Sequence, residues 1–214
     1  SSTAITDDYG IAITGNRGLA TTGHSGTANT GHFGAAIAGC GGVATAKDSS
    51  IAASGNDGIA AAGYQSTAIA GDFSVAASLS CGTATAGYRG IAAAGRSGTA
   101  TAEDCGVAAA GYCGIATVGD SGVATSFGSV CVGKHGCGTA RGCNPIVEGG
   151  IDSVLIICKE NDDGYILHVK TIVVDGEKQL PADLNWEEYT PEEFYGWLAA
   201  GKKIKTNQLS LEEA

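Results

Sequence analysis

The chain of 214 residues has no methionine, only three prolines and few aromatic side chains, which make up 6% of the total. Charged residues reach 16%, whereas an ordinary globular protein has about 25%. With 43% hydrophobic residues, the chain also lacks the polar composition of a disordered protein. No apolar run approaches the roughly 20 residues that span a bilayer as a helix, so we expect no membrane partner. No signal peptide is visible, although Ser1 is not a native start and a leader could have been removed.

Glycine is present in excess, with 35 copies, or about one residue in six. Because glycine does not recur at every third position, the chain is not collagen-like. Of these glycines 29 lie before residue 144, whereas all three prolines and both tryptophans lie after residue 143. Residues 1–143 carry a net charge of −2 and residues 144–214 a net charge of −8. These shifts predict two domains, 1–143 and 144–214.

An eight-residue repeat fills most of the first domain, and the unit GIAAAGRS from Gly90 to Ser97 is typical of it. Position one recurs every eight residues from Gly10 to Gly122, as glycine in twelve units and serine in three. Position three is alanine in all fifteen units, and position two is almost always Ile, Val, Leu or Thr. An uninterrupted repeat of this length predicts a solenoid, in which each unit contacts only its neighbours.

Each unit contains one short strand and one corner. Positions two to five hold small or β-branched residues, which favour an extended strand. The Gly-x-x-Gly segment that follows is expected to turn the chain, with glycine supplying the positive φ of the corner. Two consecutive units make one coil, with one strand on each side. The sequence therefore predicts an all-β fold, a parallel β-solenoid of two units per coil that forms a flattened two-sheet rod.

The alternation within each strand decides which side chains fill the lumen. Alanine at position three is expected to point inward, because two alanine-lined sheets can approach closely. The opposite assignment, with Ile and Val inside, also fits the pattern. Since successive units lie on opposite sides of the rod, one side carries an aliphatic column that includes Val75, Ile91, Val107 and Val123. Facing outward, this column predicts the interface of a homo-oligomer, a dimer or trimer; facing inward, it is lumen packing.

The segment from Gly87 to Ala102, GYRGIAAAGRSGTATA, closely resembles the octapeptide arrays (of the type GYRGTATAG) of uncharacterised bacterial and phage proteins. The resemblance covers residues 10–126. It implies a β-solenoid that ends in a small domain, and it implies no known activity. Segments such as Ser74-Val75-Ala76-Ala77 are also similar to the head repeats of trimeric autotransporter adhesins, which implies a related architecture and trimer packing. That family uses seven residues per half-coil, however, whereas this chain uses eight.

Residues 144–214 are predicted to form a small acidic α+β domain. Residues 151–159 and 165–174 indicate two strands, joined by a hairpin turn at residues 161–164. The segment Thr190-Pro191-Glu192-Glu193 is typical of a helix start, and Gly201 of a helix end. We expect this domain either to cap the open end of the solenoid or to bind another protein.

The sequence contains no catalytic constellation and no cofactor motif, so we expect neither an enzyme nor a bound cofactor or metal. Cys131, Cys137 and Cys143 are six residues apart with His135 between them, but zinc ligands usually occur as closer cysteine pairs. The eight cysteines do not recur coil after coil, which argues against a disulfide ladder. Free thiols favour a reducing compartment, the cytoplasm, over secretion.

Three functions stay open at this point. The first is a non-enzymatic structural or binding module, a rigid rod that presents surfaces for self-association or partner binding. The second is an ice-binding protein, because one side of the rod carries Thr-x-Thr ranks formed by Thr83, Thr85, Thr99, Thr101 and Thr117. The third is a phage anti-host inhibitor or an acidic nucleic-acid mimic, since the isoelectric point is about 4.7. Direct nucleic-acid binding is not expected from a net charge of −10 without a basic patch.

Overall fold

The structure is a computed structural model that describes residues 1–161 and 163–174 together with the backbone of residues 204–207. It confirms the predicted all-β parallel β-solenoid, which has about ten turns and no helix among the described residues. At about 4.8 Å per turn, the rod is roughly 45 Å long. The helix expected after Thr190 lies outside the described residues and stays a prediction.

Twenty strands are present in the described part of the chain, most of them four residues long. In order they are β1 (Thr3–Thr6), β2 (Ile11–Ile13), β3 (Leu19–Thr22), β4 (Thr27–Thr30), β5 (Ala35–Ala38), β6 (Val43–Ala46), β7 (Ile51–Ser54), β8 (Ile59–Ala62), β9 (Thr67–Ala70), β10 (Val75–Ser78), β11 (Thr83–Ala86), β12 (Ile91–Ala94), β13 (Thr99–Ala102), β14 (Val107–Val118), β15 (Val123–Val132), β16 (Cys137–Gly142), β17 (Ile146–Gly149), β18 (Val154–Glu160), β19 (Ile166–Val174) and β20 (Ile204–Asn207).

Each short strand pairs in parallel with the strand one coil further along, so that β1 pairs with β3 and β2 with β4. Val75 in β10, for example, is in register with Ile59 in β8 and with Ile91 in β12. Alternate strands therefore lie on opposite sides of the rod. We call the outer side of β2, β4, β6, β8, β10, β12, the first halves of β14 and β15, and β16 the aliphatic face. The threonine face is the outer side of β1, β3, β5, β7, β9, β11, β13 and the second halves of β14 and β15.

Alanine at position three lines the lumen, as predicted. From Ala12 to Ala124 these side chains are at most 1% exposed. Positions two and four point outward, so the alternative with Ile and Val inside the lumen is wrong for these coils. Because methyl groups fill most of the space between the sheets, the rod is thin. Larger side chains enter the lumen at its two ends: threonines such as Thr22 and Thr30 in the N-terminal coils, and Val130, Val147 and Leu155 towards the C-terminal end.

The expectation that glycine supplies the positive φ of the corners is wrong. Between residues 10 and 126, Gly41 is the one glycine with a positive φ. The left-handed residue is position eight, and sixteen residues other than glycine have this conformation, among them Tyr9 (φ 57°), Arg89 (φ 54°) and Cys105 (φ 56°). The N–H of position eight donates to a carbonyl of the next coil, as from Arg89 to Asp104 at 3.0 Å. This hydrogen bond offsets the roughly 1–2 kcal/mol that a left-handed residue costs.

Glycine at position one is favoured instead by the close approach of neighbouring corners. A Cβ atom on Gly58 would lie 2.8 Å from the carbonyl oxygen of Gly42, one coil back. Where serine takes this position, its hydroxyl joins the coils. Ser66 Oγ accepts a hydrogen bond from the N–H of Ser50 at 3.1 Å and donates to the carbonyl of Lys47 at 3.1 Å.

Aspartate and asparagine at position seven also tie corner to corner. Oδ1 of Asp48 accepts the N–H of Tyr64 at 2.8 Å, and Oδ1 of Asp104 accepts the N–H of Asp120 at 2.8 Å. Each donor lies one coil after its acceptor, so the side chain bridges a single coil spacing, and the corners stack in a fixed register.

The parallel ladder continues beyond residue 143, since β17 pairs with β15 and β18 with β16. The change of composition at 143–144 thus falls within one continuous stack, and the division into two domains stays a prediction. The two strands expected in the tail are confirmed as β18 and β19, which pair antiparallel, and β20 pairs antiparallel with β19. Leu155, Ile157 and Ile172 of this hairpin are buried at the end of the lumen, where Arg141 forms an ion pair with the buried Glu160.

Candidate interaction surfaces

The predicted aliphatic column lies on the outside of the rod. Val75, Ile91, Val107 and Val123 are consecutive register partners on the aliphatic face, one coil apart. Ile91 is 46% exposed and Val123 47%, although each has a register partner on both sides. Val43 and Ile59 extend this line in the N-terminal direction, and we call the six residues the aliphatic column.

A second column, of alanines, runs beside the first and was not singled out from the sequence. It consists of the outward position-four residues of β8, β10, β12 and β14, which are Ala61, Ala77, Ala93 and Ala109. The two columns are two residues apart along each strand, or about 6.6 Å. Since isoleucine and valine stand taller than alanine, the aliphatic face has a raised line next to a lower one over four consecutive coils.

The predicted threonine ranks are also in register on the opposite face. Thr83 pairs with Thr99, and Thr85, Thr101 and Thr117 form a line of three. Thr83 is exposed and the other four threonines are partly exposed. The rank stops at both ends, because Ile69 precedes Thr85 and Cys131 follows Thr117. The pKa of Cys131 is raised by burial and by the neighbouring Glu148 carboxylate.

Neither face carries charge over most of its length. From residue 3 to residue 132, every outward residue at positions two and four is uncharged, and the charged side chains of this part of the chain lie at the corners. The corners form two long edges. One edge consists of the corners that lead from the threonine face to the aliphatic face, beginning at residues 7–10. The other consists of the corners that lead back, beginning at residues 15–18.

The two edges carry opposite net charge. The edge that begins at residues 7–10 has seven carboxylates and two cations up to residue 136, a net charge of −5, and we call it the acidic edge. The edge that begins at residues 15–18 has three cations and one carboxylate up to residue 114, a net charge of +2, and we call it the basic edge. The acidic edge borders the aliphatic column, and the basic edge borders the alanine column, because each strand of the aliphatic face runs from the acidic to the basic edge.

Two arginines, one on each edge, lie over aromatic rings. On the acidic edge, the guanidinium of Arg89 lies 5.2 Å from the ring centroid of Tyr88, which packs edge-on against Phe73 at 5.8 Å. On the basic edge, Arg96 lies 5.5 Å from the ring centroid of Tyr112. Such cation–π contacts favour fixed positions for the charges at the rims of the aliphatic face.

None of the eight cysteines, which all lie within the described residues, forms a disulfide bond. Four of them, Cys40, Cys81, Cys105 and Cys113, are exposed at corners. A hydrogen bond with Cys81 raises the pKa of the Tyr64 hydroxyl. The cysteines that the sequence places six residues apart are not brought together, because Cys131 lies on the threonine face and Cys137 on the aliphatic face.

No group of three or more His, Cys, Asp or Glu side chains that could hold a metal ion occurs in the described ranges. The part of the chain with described structure also holds no helix of the length and hydrophobicity that a bilayer span requires. The fold defines the chain as a β-solenoid repeat protein. Comparison with family models, curated proteins and solved structures found no match for it.

Proposed function

We propose that this protein is a non-enzymatic structural module, a rigid rod that self-associates through its aliphatic face. The observation that carries this proposal is the aliphatic column itself, six Ile and Val side chains in register on a flat face without charge. Exposed apolar patches of this extent usually mark contact surfaces. The charges confined to the edges fit an interface with an apolar centre and a polar rim.

The free energy available from this contact is substantial. Complete burial of one Ile or Val side chain contributes about 1.5–3 kcal/mol, and Ile91, Val107 and Val123 are between 39% and 47% exposed. Covering the exposed part of each therefore contributes about 1 kcal/mol in each copy. The column is rigid, since every member is held by hydrogen-bonded strands on both sides, so little conformational entropy is lost on association.

The test is the mass in solution of the wild-type protein and of Val107→Asp. We expect wild type to exceed the monomer mass of 21.1 kDa at micromolar concentration, and Val107→Asp to be a folded monomer, because its carboxylate would be buried without a partner. The matched control is Thr99→Asp, which introduces the same charge at the same repeat position on the threonine face and should leave the mass unchanged. A monomeric wild type contradicts the proposal.

Ice binding is a second candidate, favoured by the five in-register threonines Thr83, Thr85, Thr99, Thr101 and Thr117 on a flat face. The rank covers only three coils, or about 10 Å between its first and last levels, which is small for the recognition of a crystal surface. The measurement is thermal hysteresis of the wild-type protein against Thr101→Lys. Hysteresis that Thr101→Lys abolishes would support ice binding, and its absence from wild type would refute it.

By analogy with the bacterial and phage proteins that the octapeptide pattern resembles, an anti-host inhibitory role is a third candidate, and the thiols, which form no disulfide, support a cytoplasmic location. Acidic mimicry of nucleic acid has less support, because residues 1–143 carry a net charge of only −2. Several carboxylates of the acidic edge, such as Asp72 and Asp104, also bond backbone N–H groups of the next coil. A mimic should bind basic DNA-binding proteins in low salt in competition with DNA, and failure to compete would exclude this role.

Residues 144–214 are the proposed site for a second protein partner.

A further inference from the structure

We propose that the partner on the aliphatic face is a second copy lying parallel to the first, related by a two-fold axis that runs along the rod between the aliphatic and alanine columns. In this dimer the aliphatic column of each copy packs on the alanine column of the other. The inference rests on the proposed function, because it takes self-association through this face as its starting point and specifies the arrangement of the partner.

Shape is the first argument. Two identical flat faces can meet about a two-fold axis that runs either along the rod or along the strands. An axis along the rod exchanges the two columns, so that Ile91 meets the partner's Ala93 and Val107 meets the partner's Ala109. An axis along the strands puts each column opposite itself. The tall residues then hold the faces apart, and the alanines lose contact across the gap.

Charge is the second and independent argument. Because the aliphatic column borders the acidic edge, an axis along the rod sets the acidic edge of one copy, with a net charge of −5, beside the partner's basic edge, with +2. At the first level of the aliphatic face, which is the level of β2, Asp7 and Asp8 then lie beside the partner's Arg17. An axis along the strands sets the two acidic edges against each other. The parallel arrangement has one unfavourable level, where Arg89 lies near the partner's Arg96.

The area of the face is sufficient for a specific dimer. Nine strand levels spaced by about 4.8 Å, each four residues or about 13 Å wide, give about 560 Å² of projected face per copy. A standard interface buries about 800 Å² of accessible surface per partner. The strands of the face alone therefore lie close to the lower end of this class, which is about 600 Å² per partner.

The experiment measures the distance between spin labels in the dimer. Tyr9 is 76% exposed at the first acidic corner, and its left-handed conformation suits cysteine, as Cys81 and Cys105 show. The label is placed on Tyr9→Cys in a variant whose four exposed cysteines are serine. A parallel dimer keeps both labels at the same level, within about 25 Å. An antiparallel dimer centred on the alanine column separates them by nine levels, or about 43 Å along the rod.

The matched control carries the label on native Cys105, with the other three exposed cysteines changed to serine. This corner lies about one and a half levels from the centre of the alanine column, so an antiparallel dimer separates the labels by about three levels, or about 14 Å along the rod, and both arrangements give a distance below about 25 Å. A short distance at position 9 supports the parallel dimer. A distance near the antiparallel value at position 9 with a short one at Cys105, or a trimeric mass, overturns the arrangement while leaving self-association intact. A monomeric wild-type mass overturns both proposals.

Discussion

Replacement of Ala52 by leucine tests whether the lumen has room for more than methyl groups. Ala52 is fully buried in β7, its register partners Ala36 and Ala68 are fully buried, and so are Ala44 and Ala60 on the opposite sheet. Leucine adds three carbon atoms, and the four alanines above, below and opposite have no rotamers through which they could make space. The substitution must therefore separate the two sheets.

The expected loss follows from two opposing contributions. Transfer of three additional carbons out of water favours folding by about 0.8 kcal/mol each, or about 2.4 kcal/mol. A gap of about 1 Å between the sheets forfeits a quarter to a half of the dispersion energy of every contact across it, over several coils. Overpacking of well-filled cores costs about 1–3 kcal/mol net. Because the neighbours above, below and opposite are alanines on stacked strands, we expect a value near the top of that range.

The assay is equilibrium unfolding in guanidinium chloride, followed by the β-sheet signal in circular dichroism. A loss of about 3 kcal/mol moves the midpoint by roughly 0.7 M for a protein of this size. The control is Ala53→Leu, the same change one residue along the same strand, where the side chain points to solvent on the threonine face and should alter stability by less than about 0.5 kcal/mol. Equal midpoints for the two variants would refute the assignment of position three to a tightly filled lumen.

Three further predictions concern hydroxyls and thiols. Thr30 Oγ1 is buried and has no hydrogen-bond partner among the described residues, so Thr30→Val should stabilise the fold by about 1 kcal/mol and raise Tm by about 3 °C; an unchanged or lower Tm contradicts this. Ser66→Ala removes the hydroxyl that bridges to the N–H of Ser50 and should destabilise by about 1–2 kcal/mol in the same denaturation assay, and an unchanged midpoint would speak against the bridge. The four exposed cysteines should react at once with a thiol reagent at pH 8, whereas Cys131 and Cys158 should react more slowly, because burial raises the pKa of both thiols and lowers the thiolate fraction at that pH. Equal rates at all sites would contradict the last prediction.

Much of this fold could be predicted from the sequence, because its eight-residue period is uninterrupted and each position has one physical role. Alanine in every unit at position three predicted the lumen, since only a small side chain fits between two close sheets. The position of the left-handed residue could not be predicted in this way. Position eight holds residues as different as Tyr9, Arg17, Phe33 and Cys81, and its conformation is imposed by the hydrogen bond that its N–H donates to the next coil rather than by its own preference.

The candidate surfaces were only partly visible in the sequence. The aliphatic column was predicted because Val75, Ile91, Val107 and Val123 recur in every second unit of the repeat. The alanine column was missed because position four, although expected to face outward with position two, holds only methyl groups at Ala93 and its counterparts, and a lower line beside a taller one becomes evident only from the register of the strands. The division of charge between the edges was missed for a related reason. Asp72 and Arg96 both occupy position seven, and only the alternation of the corners assigns them to opposite edges.

The alternation of strands between two faces constrains how the number of units can change. Deletion of residues 51–66 would remove one whole coil and leave every later residue on its original face. Deletion of residues 51–58 would join Ser50 to Ile59 without disturbing the order of positions, so the lumen would still be lined by alanine. Every later strand would then change sides, however, and Ile59 would stack on Ala35 rather than on Val43. The pattern of the lumen is preserved when a single eight-residue unit is gained or lost. The pattern of each outer face is preserved only when units are gained or lost in pairs.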